Sequence, residues 1–164
     1  MPDGNSMTEI QYRKGDATLP QTSGPKIVAH ICNDQGSWGK GFVLAVSKRW
    51  TTPEAEYRAW HRNRGRNDFA LGAIQVIQVA SFVHVANMIG QHGIAAGPQG
   101  PPIRYDAVGE CLQKLAVAAK ELEASVHMPR IGTGPVGGKW ELIEPLIQEK
   151  LIASGVKVYV YDLA

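Results

Sequence analysis

At 164 residues the chain is long enough for one domain with its own core, and needs neither disulfide nor metal to hold it. A hydrophobic share of 44% beside 20% charged residues is the composition of a soluble globular protein. The net charge of +2 is too small to bring nucleic acid by bulk charge alone.

The polar start, residues 1–8, reads as a disordered N-terminal tail without a signal-peptide core, and 9–164 as one domain. No apolar run reaches membrane-spanning length, so a cytoplasmic, membrane-free protein is expected. Ile10 to Arg13 alternates like a short strand, and Gly15-Asp16 turns the chain. Ile27 to Cys32 is a nearly continuous apolar run, the mark of a strand buried on both faces. A glycine-rich loop, Asn33 to Gly41, follows. Helical spacing resumes at Phe42, Val43, Val46 and Trp50, and a second helix is expected after Pro53 with Thr52 as its cap. The basic stretch Arg58, His61, Arg62, Arg64 and Arg66 reads as a solvated helix face running into a loop.

Ala73–Val79 and Ser81–Ala86 suggest a hairpin, and Gly90–Pro102 a long loop of Gly, Pro and Ala. Tyr105–Glu123 has the spacing of an amphipathic helix. Ser125–Pro129 reads as a strand, Arg130–Gly138 as a second glycine-rich loop, Trp140–Ala153 as a helix and Val156–Leu163 as a last strand. The alternation predicts an α/β layered fold with a largely parallel sheet, made mixed by the hairpin. Cys32 ends a strand and Cys111 sits in a helix, so two reduced, buried thiols are expected rather than a disulfide. The histidines at 30, 61, 84, 92 and 127 lack metal-ligand spacing, and no metal or cofactor is expected.

Both glycine-rich loops lie at the end of a buried strand and before a helix, where open α/β sheets bind ligands. Glycine there lets backbone N–H groups converge on an anion. Neither loop ends in Gly-Lys-Ser/Thr, and neither has Gly-x-Gly-x-x-Gly spacing with an acidic partner, so P-loop and Rossmann readings are excluded. Asp16 at its turn can accept from the exocyclic amine of adenine or simply cap the turn. Trp38 and Trp140 can cover a ribose or base, although core packing is the commoner fate of such residues.

Gly15-Asp16-Ala17-Thr18 and Ile131-Gly132-Thr133-Gly134-Pro135-Val136-Gly137 resemble the adenine-reading and phosphate-loop segments of the macrodomain family. His30 to Gly41, Gly90-Gln91-His92 and Ser125 to Gly132 resemble one branch of it, which includes a chromatin-remodeller macrodomain and a glycohydrolase of terminal ADP-ribose. The resemblance spans Ile10 to Leu163 and implies a macrodomain-like three-layer α/β/α fold over 9–164. It implies that Asp16 takes the adenine amine, with Ala17 nearby. Asn33, Asp34, Trp38, Gly39, Lys40 and Gly41 would surround the distal ribose. Gly132, Thr133, Gly134, Pro135, Val136, Gly137 and Gly138 would cradle the diphosphate. Tyr161 and Leu163 would flank the adenine, and Gln91 and His92 would approach the cleft.

The glycohydrolase of this branch uses a lysine nucleophile and an aspartate where this chain has Met88 and Val136; Lys139 nearby reads as a solvated charge. Hydrolysis would then use water, with Asn33, Asp34 and His92 as candidate catalytic residues, Asp34 and His92 being alternative bases. The domain fills the chain, which favours an enzyme that removes mono-ADP-ribose from acidic protein side chains or nucleic acid. A non-catalytic ADP-ribose reader is the alternative, and a nucleotide-binding or structural module unrelated to ADP-ribose is a third class. Expected partners are ADP-ribose, as ligand or product, and ADP-ribosylated protein or nucleic acid, with the protein itself a monomer.

Overall fold

The computed structural model describes residues 9–98 and 100–163; the expected tail 1–8 lies outside them. Six strands, β1 (Gln11–Lys14), β2 (Lys26–Asn33), β3 (Ile74–Ala80), β4 (Val83–Gln91), β5 (Ser125–Met128) and β6 (Val158–Asp162), form one sheet in the order β1-β6-β5-β2-β4-β3. Neighbours are parallel except β3 and β4, the expected hairpin. Four helices flank it among the described residues: α1 (Phe42–Arg49), α2 (Thr52–Arg62), α3 (Tyr105–Leu122) and α4 (Trp140–Lys150).

The two faces of the sheet carry separate cores, as the continuous apolar runs of β2 and β4 require. On one face Ile27, Met88, Val126 and Val158 pack with Val108, Leu112 and Leu115 of α3 and Ile143 and Ile147 of α4. On the other, Val28, Cys32, Val85 and Ile89 pack with Val46 of α1 and Tyr57 and Trp60 of α2. The result is the three-layer α/β/α arrangement.

Several boundaries differ from the sequence reading. The second hairpin strand does not stop at Ala86: Asn87 to Gln91 continue it, paired with β2 up to Asn33↔Gln91. Gly90 therefore belongs to the sheet, not to the loop. A Cβ there would stand 2.9 Å from Ile31 Cδ1 and 3.0 Å from Val108 Cγ2, so glycine at this position lets α3 lie close on β4. Thr52 is the first residue of α2 rather than its cap; Thr51 precedes the helix and makes no side-chain capping bond. The last helix ends at Lys150 and passes into a 3₁₀ turn, Ile152–Ser154, closed by Gly155 at φ 87°. Both cysteines are free and buried, and burial pushes the Cys111 thiol up to about 12 and the Cys32 thiol higher.

Two buried histidines stitch polar rungs into this sheet. Asn87 Nδ2 donates to the Pro53 carbonyl and Gln75 Oε1, both at 3.1 Å, which leaves Asn87 Oδ1 as the acceptor for His30 Nε2 at 2.6 Å. His127 bonds Ser125 Oγ through Nε2 at 2.8 Å and the Tyr161 hydroxyl through Nδ1 at 2.7 Å, and stacks on Tyr159. Burial lowers both imidazoles to about 4. An unfolded chain takes these protons near pH 6.5, so between about pH 6.5 and 4 it binds more protons than the fold. Stability is thus full above pH 6.5 and declines as the pH falls towards 4, by up to roughly 3 kcal/mol for each histidine. Urea unfolding at pH 7.5, 6 and 4.5 should show the midpoint falling chiefly between the last two; a flat profile would contradict the neutral buried pair.

Candidate functional site

β2 and β5 lie side by side and end at the same edge of the sheet, which brings the two glycine-rich loops face to face. Between them is a cleft of about 400 Å³, a size suited to a small organic ligand. Asn33, Gly39, Lys40 and Gly41 line one side, and Gly132, Thr133 and Val136 the other, with Gln91 at the end of β4. Apolar wall comes from Phe42, Val43, Ile94 and Ile131.

The first loop is held by Asn33. Its Oδ1 accepts from the N–H of Gln35 (2.9 Å) and Ser37 (3.1 Å), and its Nδ2 donates to the Ser37 carbonyl (2.7 Å). The Tyr57 hydroxyl, delivered from α2, donates to the Asn33 carbonyl at 2.6 Å and accepts from the Gly36 N–H at 3.1 Å. Arg58 Nη1 adds a bond to the Gly36 carbonyl at 3.2 Å, and His61 packs against Gly36 so closely that a Cβ would fall 2.4 Å from its ring. Burial pushes the Tyr57 hydroxyl pKa up, so it stays protonated as a donor. With its carboxamide so occupied, Asn33 shapes the loop first and has one amide hydrogen left for a ligand.

Asp34 and His92, alternatives in the sequence reading, form a single unit. His92 Nδ1 is 2.6 Å from Asp34 Oδ2, and Asp34 Oδ1 accepts from the Gly93 N–H at 2.8 Å. An ionised carboxylate only accepts, so Nδ1 carries the hydrogen, and in a neutral imidazole Nε2 then has the lone pair. The His92 side chain is 60% exposed and that of Asp34 19%. Neither lines the cleft; their neighbours Asn33, Gln91 and Ile94 do, which sets the pair at its rim. Gln91 itself is buried and donates to the Gly93 carbonyl at 2.9 Å, holding this turn.

Backbone donors are available on both sides. Among the described residues the N–H groups of Gly39, Lys40 and Gly41 in the first loop, and Gly132 and Gly134 in the second, donate to no protein acceptor. All of these residues but Gly134 line the cleft, where such groups are anion ligands in waiting. Not every glycine serves this purpose. A Cβ on Gly132 would stand 2.8 Å from Ile103 and Ile143, and one on Gly138 2.1 Å from the Gly132 carbonyl oxygen, to which the Gly138 N–H bonds. Gly137 and Gly138 close the loop on itself, and Pro135 lies in a short 3₁₀ turn, Gly134–Val136. The Thr133 hydroxyl donates to the Arg130 carbonyl at 2.7 Å, so its hydrogen is taken while its lone pairs remain.

Trp38, Asp16, Ala17, Tyr161 and Leu163 stand apart from the cleft lining. The Trp38 side chain is buried, packs on His30 and Tyr57 and donates to Ser47 Oγ at 2.7 Å; it is core, as is usual for a lone tryptophan. Asp16 Oδ1 accepts from both the Thr18 N–H and hydroxyl, while Oδ2 meets no donor among the described residues; Ala17 is buried. Tyr161 is buried beside Gly15, and Leu163, just after β6, is exposed. Met88 is buried in the core beneath α3, while Val136 lines the cleft and Lys139 is exposed at the start of α4. Tyr57 carries no sequence signal for its role, because its apolar ring alone satisfies the spacing of α2. Arg130, at the start of the second glycine-rich loop, lines the cleft and pairs with Asp162, whose carboxylate it holds below the usual range.

No family model matches the chain. A macrodomain protein from Streptomyces coelicolor is 58% identical to it, with a TM-score of 0.85 over 94% of this chain and 99% of that one. A Bacteroides thetaiotaomicron protein of unknown function is 56% identical, with a TM-score of 0.92 over 95% and 99%. Chromodomain-helicase-DNA-binding protein 1-like of Mus musculus is 30% identical over 167 residues; the match takes in 94% of this chain and only 18% of that much longer protein. ADP-ribose 1''-phosphate phosphatase of Lodderomyces elongisporus is 27% identical over 162 residues, 93% of this chain and 99% of that one. Two glycine loops across a parallel sheet edge and a near full-length match at this identity agree: the chain belongs to the macrodomain family.

Proposed function

We propose that the cleft binds ADP-ribose and that the protein hydrolyses mono-ADP-ribose from a modified macromolecule, with water as nucleophile. The observation that carries the reading is the Asp34–His92 pair, fixed at the rim of the cleft where β2 and β4 end, with His92 Nε2 bonded to nothing among the described residues. The unengaged N–H groups of Gly132 and Gly134 suit the diphosphate, and Gly39 to Gly41 the distal ribose. The phosphatase relative acts, by its name, at the 1″ position of ADP-ribose, the end of the ligand that the rim would meet.

In this reading His92 Nε2 takes a proton from water as its oxygen bonds to C1″. On an acidic side chain the bond from C1″ to the acyl oxygen breaks, and the leaving group departs as a carboxylate. Asp34 steadies the imidazolium that forms, the orienting role an acceptor-only partner plays. Met88 is buried in the core and Val136 has no titratable group, which favours water over a lysine adduct. A non-catalytic reader would bind the same ligand and leave the Asp34–His92 pair without work. The carrier is an acidic protein side chain or a nucleic acid, and phosphates of the latter would meet the exposed Arg62, Arg64 and Arg66 at the end of α2 and in the turn after it.

Incubation with glutamate-linked or DNA-linked mono-ADP-ribose should release free ADP-ribose above a no-protein control; binding without release from either would establish the reader instead. His92→Ala should lower the release rate on the order of 10² or more while leaving ADP-ribose affinity within about threefold. An unchanged rate would remove His92 from the chemistry. Asp16→Ala should weaken ADP-ribose binding by about 1–3 kcal/mol in calorimetry; unaltered affinity would move the adenine elsewhere.

A further inference from the structure

We infer that Glu54 is a positioning residue of the first glycine-rich loop: standing on α2, outside the cleft lining, it sets the segment Gly39 to Gly41 and with it the affinity for the distal ribose. This rests on the reading of the cleft as an ADP-ribose site and adds to it a residue that no ligand would touch.

Glu54 lies in the first turn of α2, where a carboxylate suits the helix dipole. That local role leaves the partners of its two oxygens out of account. Oε1 accepts from the Ser47 hydroxyl at 3.1 Å, and Oε2 accepts from Arg58 Nε at 2.9 Å. Both donors lead to the first loop. The Ser47 hydroxyl, its hydrogen given to Glu54, accepts from Trp38 Nε1 at 2.7 Å. Arg58, turned by the same carboxylate, donates through Nη1 to the Gly36 carbonyl at 3.2 Å. One carboxylate thus holds the loop at two points, residues 36 and 38, by two separate paths. An amide in its place has one acceptor oxygen and could serve only one of them.

The consequence falls on the three residues that follow. Trp38 immediately precedes Gly39, and Phe42 begins α1, the helix that also carries Ser47. Residues 39–41 therefore span from a side chain anchored on α1 to the first residue of α1, with Gly41 at φ 80° making the last bend. Their N–H groups donate to no acceptor among the described residues, so the anchors at the two ends are what place them.

The base on which Glu54 stands is itself tied down. The Pro53 carbonyl accepts from Asn87 Nδ2 at 3.1 Å and the Glu56 carbonyl from Gln75 Nε2 at 3.0 Å, which fastens this turn of α2 to β4 and β3. Glu54, Tyr57, Arg58 and His61 follow the i, i+3, i+4, i+7 spacing of one helix face. Tyr57 and His61 meet the loop directly. Glu54 reaches it only through other side chains, so its loss frees the loop without removing a direct contact to it.

Calorimetry with ADP-ribose and ADP on wild type, Glu54→Ala, Ser47→Ala, Arg58→Ala and the Glu54→Ala/Ser47→Ala double variant tests the inference. ADP lacks the distal ribose and so reports on folding and on the rest of the cleft. Glu54→Ala should weaken ADP-ribose about tenfold and ADP less than about twofold. Ser47→Ala and Arg58→Ala each cut one path and leave Glu54 in place, and each should weaken ADP-ribose about threefold. Adding Ser47→Ala to Glu54→Ala should cost less than about twofold more, because the two act along one path. An equal loss for ADP and ADP-ribose would make Glu54 a matter of helix stability alone, and an unchanged ADP-ribose affinity would leave the loop to Asn33 and Tyr57. Full additivity in the double variant would break the path through Ser47; each of these results overturns the inference. A wild-type protein that binds neither ADP nor ADP-ribose would overturn the ligand reading itself, a distinct failure.

Discussion

The whole site hangs on how Asn33 uses its side chain. A carboxamide at the end of a parallel strand must find partners, and here Oδ1 and one amide hydrogen find them within the loop, at the Gln35 and Ser37 N–H groups and the Ser37 carbonyl. That closure tightens residues 33–37 into a turn that needs nothing from the following segment. Gly39 to Gly41 are then left with free N–H groups on the cleft lining. It also fixes the direction in which Asp34 leaves the strand, towards the end of β4 and His92. Buried polar groups satisfied in this way specify one arrangement, whereas a half-satisfied loop would collapse onto any available donor.

The second loop reaches the same end by a different route. Its glycines are needed in part because no side chain fits: Gly132 lies against Ile103 and Ile143, and Gly138 against the Gly132 carbonyl. The packing of the core on α4 therefore dictates the loop path, and the anion-binding groups follow from it. One side of the cleft is built by side-chain hydrogen bonds and the other by the absence of side chains. Both stand on strands that the sheet order makes neighbours.

Much of this was legible in the amino-acid order. The apolar run of β2, the amphipathic spacing of α3 and the two glycine loops are local signals, and each lies within a few residues of where it was read. What was not legible depends on distance along the chain. Asp34 and His92 are 58 positions apart and looked like rival bases, and only the parallel pairing of β2 with β4 makes them one unit. Arg130 and Asp162 are 32 apart and meet because β5 pairs with β6. Gln91 was placed in a loop because Gly90 reads as a breaker, whereas tertiary packing under α3 calls for glycine inside the strand. Trp38 sat in a ligand-like loop and turned inward, since a buried indole with its N–H satisfied by Ser47 outweighs any contact at the surface.

Binding and chemistry separate cleanly in this architecture: the loops are suited to hold a nucleotide diphosphate whether or not the rim does anything further. The most direct measurement is a crystal structure with ADP-ribose bound. The account predicts diphosphate oxygens in hydrogen-bonding range of the Gly132 and Gly134 N–H groups and the distal ribose against Gly39 to Gly41. It also predicts C1″ turned to the rim, with one water between it and His92 Nε2. A diphosphate held away from the second loop, or a C1″ facing away from His92, would contradict it.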